Sequence, residues 1–120
     1  MNLKSILMLA AACCSLALAG DALAHAHPKS MTPAADSTVA APAEISMRFT
    51  EGLEAAFSSL AVQDAAGHAV ADGKAELDGD THTVLRLALP PLAPGVYTVK
   101  WVAVARDGHR TSGSYRFTVK

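Results

Sequence analysis

Gly95-Val96-Tyr97-Thr98-Val99-Lys100-Trp101-Val102-Ala103-Val104-Ala105 is the stretch on which the fold turns. Tyr97, Val99, Trp101 and Ala103 recur at every second position. A period of two sends successive side chains to opposite faces of a strand, one buried and one wet. The same period continues on either side. Downstream, Tyr115, Phe117 and Val119 keep step across residues 114–119. Upstream, Leu85, Leu87 and Leu89 share a face opposite Arg86, residues 57–62 form a further apolar run, and Ile45, Met47 and Phe49 alternate with Ser46, Arg48 and Thr50. Turn residues separate the runs: Pro42, Ala66-Gly67, Asp72-Gly73, Asp78-Gly79-Asp80, Pro90-Pro91 and Pro94-Gly95. Short strands with breaks about every ten residues predict a single all-β domain, a sandwich or barrel rather than βαβ units. Its core is expected around Trp101, Phe49 and Phe117. Residues 51–57 are compatible with one helical turn or an irregular connection.

The first 24 residues follow a different logic. Lys4 gives a positive start, residues 6–19 are almost continuously apolar, and Ala22-Leu23-Ala24 is a small-x-small cleavage site. That is the layout of a secretory signal peptide. The apolar run falls short of the roughly 20 residues that span a bilayer, so cleavage after Ala24 is expected rather than a lasting anchor. Cys13 and Cys14 lie inside the run, but Ala10-Ala11-Ala12 before them lacks the leucine of a lipoprotein signal. The expected organisation is therefore a signal peptide at 1–24 and one domain at 25–120, with no membrane insertion after cleavage. Cleavage removes both cysteines, so disulfide and thiolate chemistry are excluded from the mature chain. The chain's 10 basic and 11 acidic side chains, of which only Lys4 and Asp21 fall in the first 24 residues, nearly cancel, and none form a run. Nucleic acid and anionic membranes thus find no electrostatic footprint.

No catalytic constellation emerges. Glycines are scattered in turns rather than gathered in a phosphate loop, and no serine sits in a nucleophile elbow. Glu51 and Glu54 read better as a solvated turn face than as a glycosidase pair. Histidine is more informative, because all five lie in the mature part. Cleavage would make His25 the N-terminus, where its amine and imidazole together can chelate one ion. Asp107-Gly108-His109 follows the long strand. In an extended segment its i, i+2 spacing puts carboxylate and imidazole on one side. Singly, these read as a tail residue and a surface turn. Together they offer two imidazoles, an amine and a carboxylate. Such a set suits tetragonal Cu(II), and tetrahedral zinc accepts similar ligands.

Several longer motifs resemble the CopC family of periplasmic copper-binding proteins, in order along the mature chain. The opening His25-Ala26-His27-Pro28-Lys29-Ser30-Met31-Thr32-Pro33-Ala34 is similar to the family's start, and Phe49-Thr50-Glu51 to its F-[ST]-E strand end. The segment from Leu92 to Trp101 matches L-x-x-G-x-Y-x-V-x-W. Asp107-x-His109-x-x-x-Gly113 matches D-x-H-x-x-x-G, followed by Tyr115-x-Phe117-x-Val119. The resemblance implies a seven-stranded Greek-key β-sandwich or barrel, cupredoxin- or immunoglobulin-like. It implies one Cu(II) ion bound by His25, Asp107 and His109, with Glu51 nearby as a supporting group or weak ligand. It implies a periplasmic role in copper homeostasis or resistance, without catalysis, sequestering the ion or passing it to a CopD-like inner-membrane partner.

Two features depart from parts of that family. Some members bind Cu(I) through a Met-rich loop, but residues 65–83 contain no methionine here, so no dedicated Cu(I) site is expected. His68 and His82 in that region read as polar surface. The second departure is His27. With Ala26 rather than proline before it, the terminal x-x-His spacing allows copper to take backbone nitrogens. His27 is thus an alternative ligand competing for the amine of His25. Two other readings stay in view: an immunoglobulin-like interaction module without metal, and a copper oxidase built on the terminal histidine.

Overall fold

The computed structural model describes residues 25–72 and 74–120. The expected signal peptide at 1–24 lies outside the described residues. The strands are β1 (Pro28–Thr32), β2 (Thr38–Val39), β3 (Glu44–Phe49), β4 (Ser59–Gln63), β5 (Ala69–Ala71), β6 (Glu76–Asp78), β7 (Val84–Ala88), β8 (Gly95–Val104) and β9 (Arg110–Val119). They form two sheets, β1-β3-β7-β6 and β2-β9-β8-β4-β5. The chain passes between sheets after β1, β2, β3, β5 and β7, which gives the all-β sandwich that the alternation and the motifs predicted, with nine strands among the described residues where the resemblance implied seven. The β4–β5, β6–β7 and β8–β9 pairs are hairpins. Three of the four edge strands, β2, β5 and β6, have only two or three residues, too short to show a period in sequence. Short edges also offer little template for pairing with another chain.

The period-two faces close on each other. Ile45, Met47 and Phe49 of β3 and Leu85 and Leu87 of β7 line one inner face. Leu60 and Val62 of β4, Tyr97, Val99 and Ala103 of β8, and Tyr115, Phe117 and Val119 of β9 line the other; all are buried. Full burial of each large apolar side chain contributes about 1.5–3 kcal/mol before entropy is counted. Tyr97 also donates its hydroxyl to the Ala93 carbonyl at 2.6 Å, tying the 90–94 connection to β8.

Three expectations need adjusting. Trp101 is only half-buried and packs at the margin of the core. Its ring makes an edge contact with Phe49 and lies across Gly113, where an added Cβ would come within 2.7 Å of the indole. Phe57 does not begin a strand. The Glu54 carbonyl accepts the N–H groups of both Phe57 and Ser58, a single turn that leaves the Phe57 ring 68% exposed. Finally, β9 starts at Arg110 rather than at residue 114, because the β8–β9 ladder continues through Trp101↔Gly113 to Val104↔Arg110.

The ladder fixes the two ends of the sandwich. Leu53 bridges to Ala105 and donates its N–H to the His82 carbonyl. The loops after β3, before β7 and between β8 and β9 therefore meet at one end. The β4–β5 turn lies at the other, since Gln63 pairs with Thr98 while Ser59 pairs with Val102.

Candidate metal centre

The β8–β9 turn begins the site. Ala105 donates its N–H to the His109 carbonyl, and Gly108 donates to the Ala105 carbonyl. Arg106, Asp107 and Gly108 thus form a three-residue hairpin loop, with Gly108 at φ 89° in the left-handed position that such loops require. The segment is a tight turn rather than the extended one assumed from spacing. Asp107 and His109 meet for a different reason. Asp107 Oδ1 accepts the backbone N–H of His109 at 3.0 Å, and Oδ2 lies 2.9 Å from His109 Nδ1. That backbone hydrogen bond is the main cause holding the Asp107 carboxyl below its ordinary value of 3.8. Desolvation opposes it, while the imidazole contact and the charges of His109 and His25 add to it. An ionised carboxylate only accepts hydrogen bonds. In the neutral imidazole Nδ1 therefore carries the proton, which leaves the Nε2 lone pair for another partner.

The N-terminal segment reaches this turn across the open end of the sandwich. Ala26 is wholly buried, and its carbonyl accepts the Thr111 hydroxyl at 2.8 Å. His27 donates its N–H to Thr50 Oγ1 at 3.0 Å, and its carbonyl accepts the Thr50 N–H at 2.9 Å. The His25 ring consequently stacks on that of His109, with centroids 4.8 Å apart and planes 3° from parallel. The His27 ring lies 6.3 Å from that of His25.

Four of the five candidate residues, His25, His27, Asp107 and His109, thus share one end. Glu51 borders them as the neighbour of Thr50, but no ion pair joins it to these histidines among the described residues. His68 belongs to the opposite end. His82 lies near the site through its backbone, while its side chain is exposed. Sequence reasoning did not single out Thr50, Thr111 or Ala26 as structural supports. The available signal was position alone, beside F-T-E and within D-x-H-x-T.

In donor chemistry the cluster fits a nitrogen-rich copper site. As it stands, no three His, Cys, Asp or Glu side chains among the described residues converge closely enough to hold an ion. Parallel stacked rings direct their in-plane lone pairs past one another. The Asp107 and His109 side chains are 40% and 54% exposed, so changing rotamer there disturbs no core packing.

Comparison with known proteins bears on the family. The CopC domain model matches residues 28–120, a span that contains Asp107 and His109 and begins three residues after His25. Copper resistance protein C of Pseudomonas syringae pv. tomato is 40% identical over 107 residues, covering 82% of this chain and 85% of that protein. The crystal structure of CopC from Methylosinus trichosporium OB3b has a TM-score of 0.76 at 38% identity, over 80% of this chain and 94% of the other. PcoC, a methionine-rich copper resistance protein from Escherichia coli, gives 0.72 at 35%, over 81% and 100%. A two-sheet sandwich, a D-x-H turn beside a histidine-bearing N-terminal segment, and matches over most of both chains lead to one assignment: this chain belongs to the CopC family.

Proposed function

We propose that the mature chain binds one Cu(II) ion through His25, Asp107 and His109 and serves periplasmic copper homeostasis, as a binder rather than a catalyst. The observation that carries this reading is the His25 ring lying against His109 beside the Asp107 carboxylate. Cleavage after Ala24 would free an amine next to the His25 imidazole, so one residue supplies two nitrogens. The rings then turn out of their stack so that the lone pairs converge on the ion. Asp107 Oδ1 stays pinned by the His109 backbone N–H, while Oδ2 exchanges its imidazole contact for the metal. Glu51 stays outside the ligand set.

The oxidation state follows from donor softness. Thioethers select Cu(I), whereas imidazole, amine and carboxylate suit Cu(II). Met47 is wholly buried and Met31 packs against the core, so neither is offered to an ion at this end. The copper-resistance names of the relatives support copper as the cargo. A CopD-like inner-membrane protein is the proposed recipient. The half-exposed site at the tip of the sandwich favours hand-over, because a partner can reach the ligands without opening the core.

Electron paramagnetic resonance of the Cu(II)-loaded chain starting at His25 tests the site. Expected is a mixed nitrogen and oxygen ligand set that changes in His109→Ala. Absence of tight binding in calorimetric titration, or unchanged spectra and affinity in that variant, rejects the assignment.

A further inference from the structure

We propose that Thr50 and Thr111 act as positioning residues that choose between two competing Cu(II)-binding modes of the N-terminal histidines. This inference rests on the copper reading above and asks which residues share the ion with the terminal amine. His25-Ala26-His27 carries the x-x-His spacing. In the mode that spacing permits, residues 25–27 wrap around the ion in one plane. The terminal amine, the backbone nitrogens of residues 26 and 27, each having lost its proton to solvent, and the His27 imidazole are then the ligands. That mode and the folded site need the same amine, so a single ion takes only one of them.

The fold withholds the wrapped conformation at three points. The His27 nitrogen is directed at Thr50 Oγ1, 3.0 Å away, and not at its own ring. The His27 carbonyl is held by the Thr50 N–H, which sets the direction of the peptide that follows. The Ala26 carbonyl is held by the Thr111 hydroxyl, and the Ala26 side chain is wholly buried between the sheets. Wrapping requires Ala26 to leave that position and the His27 peptide to rotate, so all of these contacts are lost together. Thr50 follows β3 in one sheet and Thr111 belongs to β9 in the other, so the dipeptide is gripped from both layers. The grip leaves His25 facing His109, with His27 further off. Neither threonine is offered as a ligand. The two hydroxyls act by fixing the path of the backbone between His25 and His27.

The chain starting at His25, given one equivalent of Cu(II), tests this through its nitrogen superhyperfine pattern. In the wild type the pattern should depend on His109 and be indifferent to His27→Ala. In Thr50→Val combined with Thr111→Val, the threonine shapes persist without the hydroxyls. Copper should then move to a four-nitrogen pattern that is indifferent to His109→Ala and abolished by His27→Ala. Thr50→Ser and Thr111→Ser should keep the wild-type pattern. A metal-free readout runs alongside: the His27 amide should exchange with solvent roughly tenfold faster in Thr50→Val, the loss expected for one hydrogen bond. This single variant stands even if the double variant does not fold. A four-nitrogen, His27-dependent pattern already present in the wild type overturns the proposal. So does an unchanged His109-dependent pattern in a folded double variant, or unchanged His27 exchange in Thr50→Val. Failure of the wild type to bind copper rejects the copper reading instead, and leaves the exchange result to report on the backbone grip alone.

Discussion

Two hairpin turns of this protein carry almost the same local chemistry at opposite ends of the sandwich. In the β8–β9 turn, Asp107 accepts the backbone N–H of His109 and faces its ring nitrogen at 2.9 Å. In the β4–β5 turn, Asp64 accepts the N–H groups of Ala66 and His68, and its other oxygen lies 3.6 Å from His68 Nδ1. Both contain a glycine at positive φ, Gly67 at 85° and Gly108 at 89°. Among the described residues only the first turn receives a second imidazole, because the segment that begins at His25 crosses that end of the sheets. An Asp–His pair in a turn is a common consequence of aspartate's hydrogen bonding to nearby backbone. A site needs a partner brought from elsewhere in the chain.

The largest expected contrast between the two ends is in copper affinity. Removing a metal ligand should cost more than the 10–100-fold typical of a group that merely orients one, so His109→Ala should weaken Cu(II) binding by at least ~100-fold. His68→Ala should leave it unchanged. Competition titration against a chelator of known affinity measures both. An equal loss in the two variants would mean that the ends are not functionally distinct.

Next come the carboxylates. Asp107→Asn keeps an oxygen for the His109 N–H but puts an uncharged NH2 group where the copper-facing oxygen was, and should weaken binding by about 100-fold. Asp64→Asn in the other turn should have no effect in the same titration. Equal affinity in wild type and Asp107→Asn would assign Asp107 to the turn alone.

The glycines separate stability from binding. An alanine at a left-handed position costs about 1–2 kcal/mol, and neither turn glycine has a neighbour within 4 Å of a built Cβ to add a clash. Gly67→Ala and Gly108→Ala should therefore lower urea stability by similar amounts, while only Gly108→Ala also weakens copper binding.

The smallest effect is a titration. By NMR of the metal-free chain, the Asp107 carboxyl should titrate below its ordinary value of 3.8. A depression should persist in His109→Ala, though reduced, because the backbone N–H of residue 109 is its largest single cause while the imidazole contact and charge are lost. A depressed carboxylate stabilises the fold above its ordinary value and loses that contribution as pH falls through the lowered one. The group is exposed, so its share of stability is small.

The alternation of residues 95–105 and its echoes at 45–49, 84–89 and 114–119 determined an all-β sandwich, because a period of two permits only one set of side chains to be buried. The D-x-H motif and the placement of all five histidines after residue 24 nominated the candidate ligands. Local patterning did not reveal that Trp101 sits at the margin of the core, because that depends on the bare backbone of Gly113 on the facing strand. It did not reveal that Phe57 turns outward or that Ala26 plugs the sheets. The two turns show the same division at the site. Sequence wrote an aspartate and a histidine into each of them with similar local geometry. Only tertiary structure brought His25 against His109 and held His27 to Thr50. Those contacts join residues 84 and 23 positions apart in the chain, and packing of the two sheets decides them rather than any short-range preference.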